Sequence, residues 1–247
     1  MQILGIDVGG SGIKGALVDT KNGELVTKRY RIPTPSPSRP KAVANVFGKI
    51  IDHFEWKGPI GVGFPAPILN GYTKMAANVD DEWLNFPAEE YLSKKTGCDV
   101  TMINDADAAG LAEMKFGAGK GQKGVVMVIT IGTGLGTVLF SNGHLVPNTE
   151  MGHIEVRGKD AEVRASDAAR KRRTLSWKKW GQNFDEYLST LEKLLWPDMF
   201  ILGGGGSKNM NKFKRYLTVQ AKVVPAQLLN EAGIVGAAMA VLEKPLA

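Results

Sequence analysis

The sequence predicts an α/β protein built of two similar halves, a bilobal unit with a cleft, and three observations carry that prediction. A pattern of strand, Gly-rich turn, strand, Asn-Gly turn and strand occurs twice, at ILGIDV-GGSG-IKGALVDT-KNG-ELVTKRYRI and again at GVVMVITI-GTGLG-TVLF-SNG-HLVPN. Each copy is followed by segments of helical period and further buried apolar runs, the alternation expected of α/β architecture. No break in composition separates independently folding pieces, so the halves read as 1–112, with 232–247 returning to it, and 113–231.

The elements follow in order. MQILGIDV is short, apolar and rich in Ile, Leu and Val, a strand signal. The glycines after it match G-x-G-x-x-G, but that fingerprint needs a helix next. Here GALVDTKNGELV follows, an apolar run, an Asn-Gly turn and a second alternating run, which is a hairpin. A dinucleotide-binding turn is therefore excluded, and no G-x-x-x-x-G-K-[ST] spacing supports a P-loop. PTPSPSRP (33–40) is a surface connection, KAVANVFGKIIDHF a helix, and GPIGVGFPAPI (58–68) a buried strand entering a proline-rigid loop. CDVTMIND is a buried strand, and ADAAGLAEMKFG a helix stopped by Gly117. Region 157–195 reads as helical, DMFILGGGGSK as strand into glycine loop, and NEAGIVGAAMAVLE as a closing helix ended by Pro245.

Composition narrows the class. The chain has 247 residues, 43% hydrophobic and 23% charged, ordinary for a globular protein with a sizeable core. No apolar run approaches the ~20 residues of a membrane span, and the N-terminus enters a strand without a basic leader, so the expected location is cytoplasmic. The single cysteine, Cys98, excludes an intramolecular disulfide and a Cys-based zinc site. A net charge of +6 favours an anionic partner without choosing among nucleic acid, membrane and phosphorylated small molecules.

Three Gly-rich turns each follow an apolar strand: Gly9-Gly10-Ser11-Gly12, Gly132-Thr133-Gly134-Leu135-Gly136, and Gly203 to Ser207-Lys208 with Gly204 and Gly205 inside it. Singly each is more often a tight hairpin or bulge. Three together, with charged residues alongside, point to phosphate, because glycine lets backbone N–H groups turn inward on an anion. Asp7 beside the first turn suits Mg²⁺ held through water, where the plain alternative is an Asx turn. Lys14 can bring a point charge to a transferred phosphoryl group. Asn104-Asp105-Ala-Asp107 stands between a strand and a helix. Capping needs only one such residue, and a carboxylate there stays ionised beside the helix dipole and can take a proton from a bound hydroxyl. NVDDEW (78–83) and NTEMGHIE (148–155) add groups that hydrogen-bond a polyol, with His153 lying among glycines and acids rather than on an apolar face.

Together DVGGSGIKG, NDADAAG, TIGTGLG, NTEMGHIE and LGGGGSK resemble the ROK sugar kinases, and more closely their polyphosphate glucokinase branch, to which TLSWKKW and PNTEMGHIE point. The resemblance runs from the first strand to PAQLLNEAGIVGAA. It implies an actin-like, RNase H-like fold, phosphorylation of the sugar 6-hydroxyl, Mg²⁺, and a homodimer. It also implies Asp105 as general base, and Asn78, Asn104, Glu150 and His153 on the hexose, joined by Glu162 of AEVRAS. Gly9, Gly10, Ser11, Lys14, Thr130, Gly132, Thr133 and Gly134 match the phosphate loops. One departure stands out. The family's cysteine-rich zinc motif is replaced by EVRGKDAEVRAS (155–166), which has no thiolate, so no zinc is expected. No helix-turn-helix precedes the first strand, against the family's repressors.

The leading expectation is an enzyme acting on glucose with inorganic polyphosphate, with or without ATP as a further donor. Its rivals are a strictly ATP-dependent glucokinase or mannokinase, an actin-like ATPase scaffold, and a nucleic-acid binder. The scaffold has no need of convergent polyol-binding groups. The last rests on RASDAARKRRTLSWKKW (164–180), whose alternative is a solvated helix face. In the leading reading Arg170, Arg172 and Arg173 on one helix line a path for the polyphosphate chain, and neither nucleic acid nor membrane is a partner.

Overall fold

The computed structural model describes residues 1–76 and 79–243. It divides into two compact units, Met1–Ala112 with Glu231–Ala247, and Glu113–Asn230. In the first unit β1 (Gln2–Gly9) and β2 (Gly12–Asp19) form the hairpin that GGSG closes, in register from Gln2↔Asp19 to Gly9↔Gly12. The long third strand expected at 24–32 is split into β3 (Glu24–Leu25) and β4 (Tyr30–Ile32). The break has a physical cause: the Thr27 hydroxyl accepts the Leu17 N–H at 3.1 Å, taking a bond that a continuous strand partner would have made.

Helix α1 (Pro40–Phe54) starts on proline, whose fixed φ suits the first turn, and buries Val43, Phe47 and Ile50 along one stripe. Then come β5 (Ile60–Phe64), the small hairpin β6 (Ile68–Leu69) and β7 (Tyr72–Thr73), and α2 (Ala88–Thr96), ended by Gly97 at positive φ. β8 (Val100–Asn104) leads directly into α3 (Asp105–Phe116). The sheet order is β3-β2-β1-β5-β8, with β4 also on β2; β1, β5 and β8 are mutually parallel. Leu4, Ile6, Val62 and Phe64 form one core with α1 and Trp83.

The second unit repeats the plan. β9 (Val125–Ile131), β10 (Leu135–Ser141) and β11 (His144–Val146) are antiparallel neighbours. Three helices follow: α4 (Glu162–Ala165), α5 (Asp167–Arg172) and α6 (Trp177–Leu195). β12 (Met199–Gly203) and β13 (Lys222–Pro225) complete the order β11-β10-β9-β12-β13, the same path as in the first unit, with α7 (Gly204–Ser207) and α8 (Met210–Phe213) between them. Its core joins Ile129, Leu202, Trp180, Phe184, Leu188 and Phe213. The expectation of helix over 157–195 is corrected at both ends of the basic stretch. Residues 155–160 form a tight hairpin with a Glu155↔Asp160 bridge, and Ser166 and Ser176 cap two separate helices. The expected glycine loop after β12 is a helical turn.

The chain ends in α9 (Ala232–Glu243), back in the first unit and packed on β1 and β5; the expected stop at Pro245 lies outside the described residues. No helix among the described residues is long and apolar enough to cross a membrane. Backbone meets backbone under α9: a Cβ at Gly61 would overlap the Ala237 carbonyl, and one at Gly236 the Ala108 carbonyl. Carbonyls cannot give way as a flexible side chain can. Gly61→Ala is therefore expected to destabilise the protein by about 1–3 kcal/mol, while Gly48→Ala in α1, where an added Cβ meets nothing within 4 Å, gains up to about 1 kcal/mol. Paired thermal melts check this, and equal melting temperatures for the two variants would contradict it.

Candidate functional site

In the first unit the candidate groups stand where the parallel strands end. β1, β5 and β8 finish at one edge, and open α/β sheets bind ligands beyond the carboxyl ends of such strands. Asp7 faces Lys14 in register across the hairpin, and Lys14 Nζ donates to Asp7 Oδ2 at 3.0 Å, both side chains part-buried. The two residues expected to act separately are thus one ion pair. The following turn is clasped by a segment that sequence reasoning passed over. The Thr34 hydroxyl donates to the Gly9 carbonyl at 2.5 Å, and the Arg31 guanidinium to the Ser11 carbonyl at 2.6 Å. The signal was β4, whose pairing sets Arg31 opposite Lys14. Beside the turn lies a cavity of about 290 Å³, lined by Gly9, Gly10, Thr34, Pro65 and Asp80 among others.

At the end of β8, Asn104 is buried and its Oδ1 accepts N–H bonds from Ala106 at 2.8 Å and Asp107 at 3.2 Å. Capping therefore occupies the Asn104 oxygen, and toward a ligand this side chain offers its amide N–H groups. Asp105 Oδ1 accepts from the Ala106 N–H at 2.8 Å. The start of a three-turn helix favours the ionised carboxylate there. The expected hexose residue Asn78 lies outside the described residues.

The second unit gathers a second set. Thr130 stands near the end of β9, the β9–β10 turn carries Gly132, Thr133 and Gly134, and Glu162 at the head of α4 accepts the Leu135 N–H at 3.3 Å. Glu150 and His153 flank a short 3₁₀ turn, Met151–His153, held by a threonine clasp. The buried Thr137 hydroxyl donates to the Thr149 carbonyl at 2.6 Å and accepts the Met151 N–H at 2.8 Å; the Thr149 hydroxyl returns a bond to the Thr137 carbonyl at 2.8 Å. Glu150, His153 and Glu162 feel one another. Partial burial pushes the Glu150 carboxyl up from its ordinary value, the positive charge of His153 opposes this and the Glu162 charge adds to it. A hydrogen bond to Asp160 raises His153 above the usual imidazole value, against some burial and with the charges of Glu162, Asp160 and Glu150 in support. Under this set lies Tyr187, whose buried hydroxyl has no hydrogen-bond partner among the described residues.

Other expected groups are used differently. The Ser207 hydroxyl is buried and donates to the Gly204 carbonyl at 2.8 Å, inside α7, so only Gly204, Gly205 and Lys208 of that turn are exposed. Arg170 is partly buried and held by its own neighbours. Its Nε donates to Asp167 at 3.1 Å and its guanidinium lies 4.1 Å from the Trp177 ring centre. Arg172 and Arg173 end α5, are exposed, and form no ion pair among the described residues. The segment is anchored from beneath by Trp180, whose indole N–H donates to the Ser166 carbonyl at 3.0 Å. Among the described residues no group of three or more His, Cys, Asp or Glu side chains is disposed to hold a metal ion.

The model of the ROK family matches residues 3–168. The chain is 46% identical to the polyphosphate glucokinase of Mycobacterium tuberculosis over 238 residues, 96% of this chain and 90% of that one. The Mycobacterium leprae polyphosphate glucokinase is 43% identical, over 96% and 74% of the two chains. The crystal structure of the inorganic polyphosphate/ATP-glucomannokinase from Arthrobacter sp. strain KM superposes with a TM-score of 0.91 at 46% identity, over 98% of this chain and 99% of that one. The ROK hexokinase from Thermus thermophilus, at 24% identity and a TM-score of 0.81, shares the fold.

Thr137→Val keeps the side-chain shape and strands the Thr149 carbonyl and the Met151 N–H in a buried place. It is expected to cost about 1–3 kcal/mol and to speed amide exchange at Met151 more than at the amides of β10. Chemical denaturation with residue-resolved hydrogen exchange reads both; unchanged protection at Met151 would remove the clasp from its role.

Proposed function

The chain belongs to the ROK family of sugar kinases, and we propose that it transfers the terminal phosphoryl group of inorganic polyphosphate to the 6-hydroxyl of glucose, giving glucose 6-phosphate. The support is the near full-length likeness to polyphosphate glucokinases. ATP as a second donor and mannose as a second acceptor are part of the proposal, drawn from the glucomannokinase likeness. A homodimer, which rests on the family alone, belongs to it too, and so does a cytoplasmic location.

The observation that carries the chemistry is Asp105, an acid at a helix start beyond the end of β8, next to the capping Asn104. Phosphoryl transfer has a loose transition state, so a base mainly orients the hydroxyl and takes its proton late. Asp105 fits that task, its carboxylate standing at the positive end of the helix dipole. Asn104 orients the sugar with its amide donors, and Glu150, His153 and Glu162 accept and donate to the ring hydroxyls. The Gly9–Gly12 and Thr130–Gly134 turns turn backbone N–H groups on the phosphates, with Gly204, Gly205 and Lys208 extending that role for the donor. Lys14 releases part of its pairing with Asp7 to the transferred group.

Mg²⁺ keeps most of its waters and takes one or two carboxylates plus phosphate oxygens. Asp7 could take part in holding such an ion: Oδ2 is on Lys14, and Gly233, by lacking a side chain, keeps a Cβ from standing 3.2 Å from Oδ1. When bound, the ion neutralises charge on the donor phosphates.

Asp105→Asn keeps shape and hydrogen bonding but removes the basic oxygen. Turnover is expected to fall at least ~10²-fold with glucose affinity largely kept; near-normal kcat in the purified variant would take Asp105 out of the role. The donor path makes a separate prediction. ATP has a short phosphate tail, whereas a long polyanion extends further and gains from each cation met, with a salt dependence like that of other linear polyanions. With Arg170 committed to Asp167 and Trp177, the weight falls on Arg172 and Arg173. Changing both to Ala is expected to raise KM for long polyphosphate and flatten its salt dependence while KM for glucose and the ATP-driven rate stay. Equal damage to both donors would make the segment structural, and no change would make it a solvated face.

A further inference from the structure

The hairpin at 155–160 replaces the cysteine-bearing stretch of the family, and its geometry gives it a use. Val156 N–H donates to the Lys159 carbonyl at 2.8 Å and Ala161 N–H to the Ile154 carbonyl at 2.9 Å, closing a turn that folds Asp160 back onto His153. His153 Nδ1 and Asp160 Oδ2 are 3.0 Å apart. The hairpin is held from α6: Glu186 accepts from Arg157 Nε with one oxygen and from Arg164 at 2.8 Å with the other, and Arg164 also donates to the Val156 carbonyl at 3.3 Å. Two arginines and one carboxylate thus fix the backbone that presents Asp160.

We propose that Asp160 is a positioning residue for His153, holding the ring's orientation and keeping a proton on Nδ1 so that Nε2 faces the sugar as an acceptor. This rests on the reading of His153 as a hexose-binding group. A carboxylate beside one ring nitrogen selects the tautomer that donates to it. Both side chains are about half exposed, at 47% and 53%. A pair so open to water adds little stability, so its effect is on geometry and protonation. The charged groups that face the ring are Asp160 from the hairpin, Glu162 from α4 and Glu150 from the preceding segment, all acidic. They favour the imidazolium. As pH falls through the raised pKa of His153, Nε2 turns from acceptor to donor and the sugar contact changes sign.

The test uses the whole protein and the fact that it has three histidines, His53, His144 and His153. Their ring resonances are followed against pH in the parent and in Asp160→Asn, with His153→Gln assigning the signal. In Asp160→Asn the His153 pKa is expected to fall, because the hydrogen bond that raises it most is weakened. The pH transition in KM for glucose should move down with it, KM at neutral pH should rise about fivefold, and kcat, KM for polyphosphate and the denaturation midpoint should hold. Asp160→Glu should restore part of the pKa. A His153 pKa that does not move overturns the pairing. A pKa that moves while KM for glucose and its pH profile do not overturns the positioning role. His153→Gln separates the two failures: if it raises KM for glucose, only the role of Asp160 is lost, and if it does not, the sugar reading of His153 is lost as well.

Discussion

The first unit depends on how closely one C-terminal helix sits on its sheet. α9 touches β1 and β5 backbone to backbone, which Gly5 and Gly61 permit by having no side chain, and Gly236 permits the same closeness to α3 at Ala108. A helix seated at normal distance would leave a void or need bulkier residues, and its small apolar sequence shows that it was not built to do so. The seating also sets the chemistry. Gly233 in the first turn of α9 lies against the Asp7 carboxylate, so a positive helix end supports the acid that pairs with Lys14. Packing and electrostatics are one arrangement here.

The same economy recurs wherever a candidate group is also a structural one. Asn104 caps α3 with its oxygen, which leaves its amide N–H groups out of the cap. Glu113, buried further along α3, accepts N–H bonds from Ala118, Gln227 and Leu228 at 2.7–3.1 Å, and so ties down the segment that leads toward α9. Thr137 anchors the backbone between Glu150 and His153. Each of these residues fixes a main-chain path with one set of atoms, and the path fixes the reactive side chain. Charge follows the same logic: Asp160, Glu162 and Glu150 around His153 raise its pKa, and Lys14 is paired with Asp7 across the first hairpin.

Much of this was legible in the sequence, and the reasons differ by element. The two strand-turn-strand repeats were visible because each strand alternates strongly and each turn is glycine or Asn-Gly. The ends of β1 and β8 drew attention to Asp7 and Asp105 as candidates, since acids in or just after buried runs demand explanation. Contacts between short, irregular segments left no signal. Arg31 and Thr34 reach the first turn from a strand of three residues and a proline-rich connection, and the pairing of His153 with Asp160 spans a hairpin whose sequence, EVRGKD, reads as polar and helical. The basic run misled for a related reason. Charge density suggested one long helix, whereas the serines at 166 and 176 each begin a new one and turn Arg170 inward to Asp167 and Trp177. Those two serines were the available clue, as hydroxyl N-caps ahead of apolar period.

The central claim, phosphoryl transfer from polyphosphate to glucose, is tested most directly by incubating the purified protein with glucose, Mg²⁺ and long-chain polyphosphate free of nucleotide, and measuring glucose 6-phosphate, with ATP as donor in a parallel reaction. The account predicts glucose 6-phosphate formed in step with loss of terminal phosphate from the polymer. Product from ATP alone would contradict the donor assignment, and product from neither donor would contradict the sugar kinase itself.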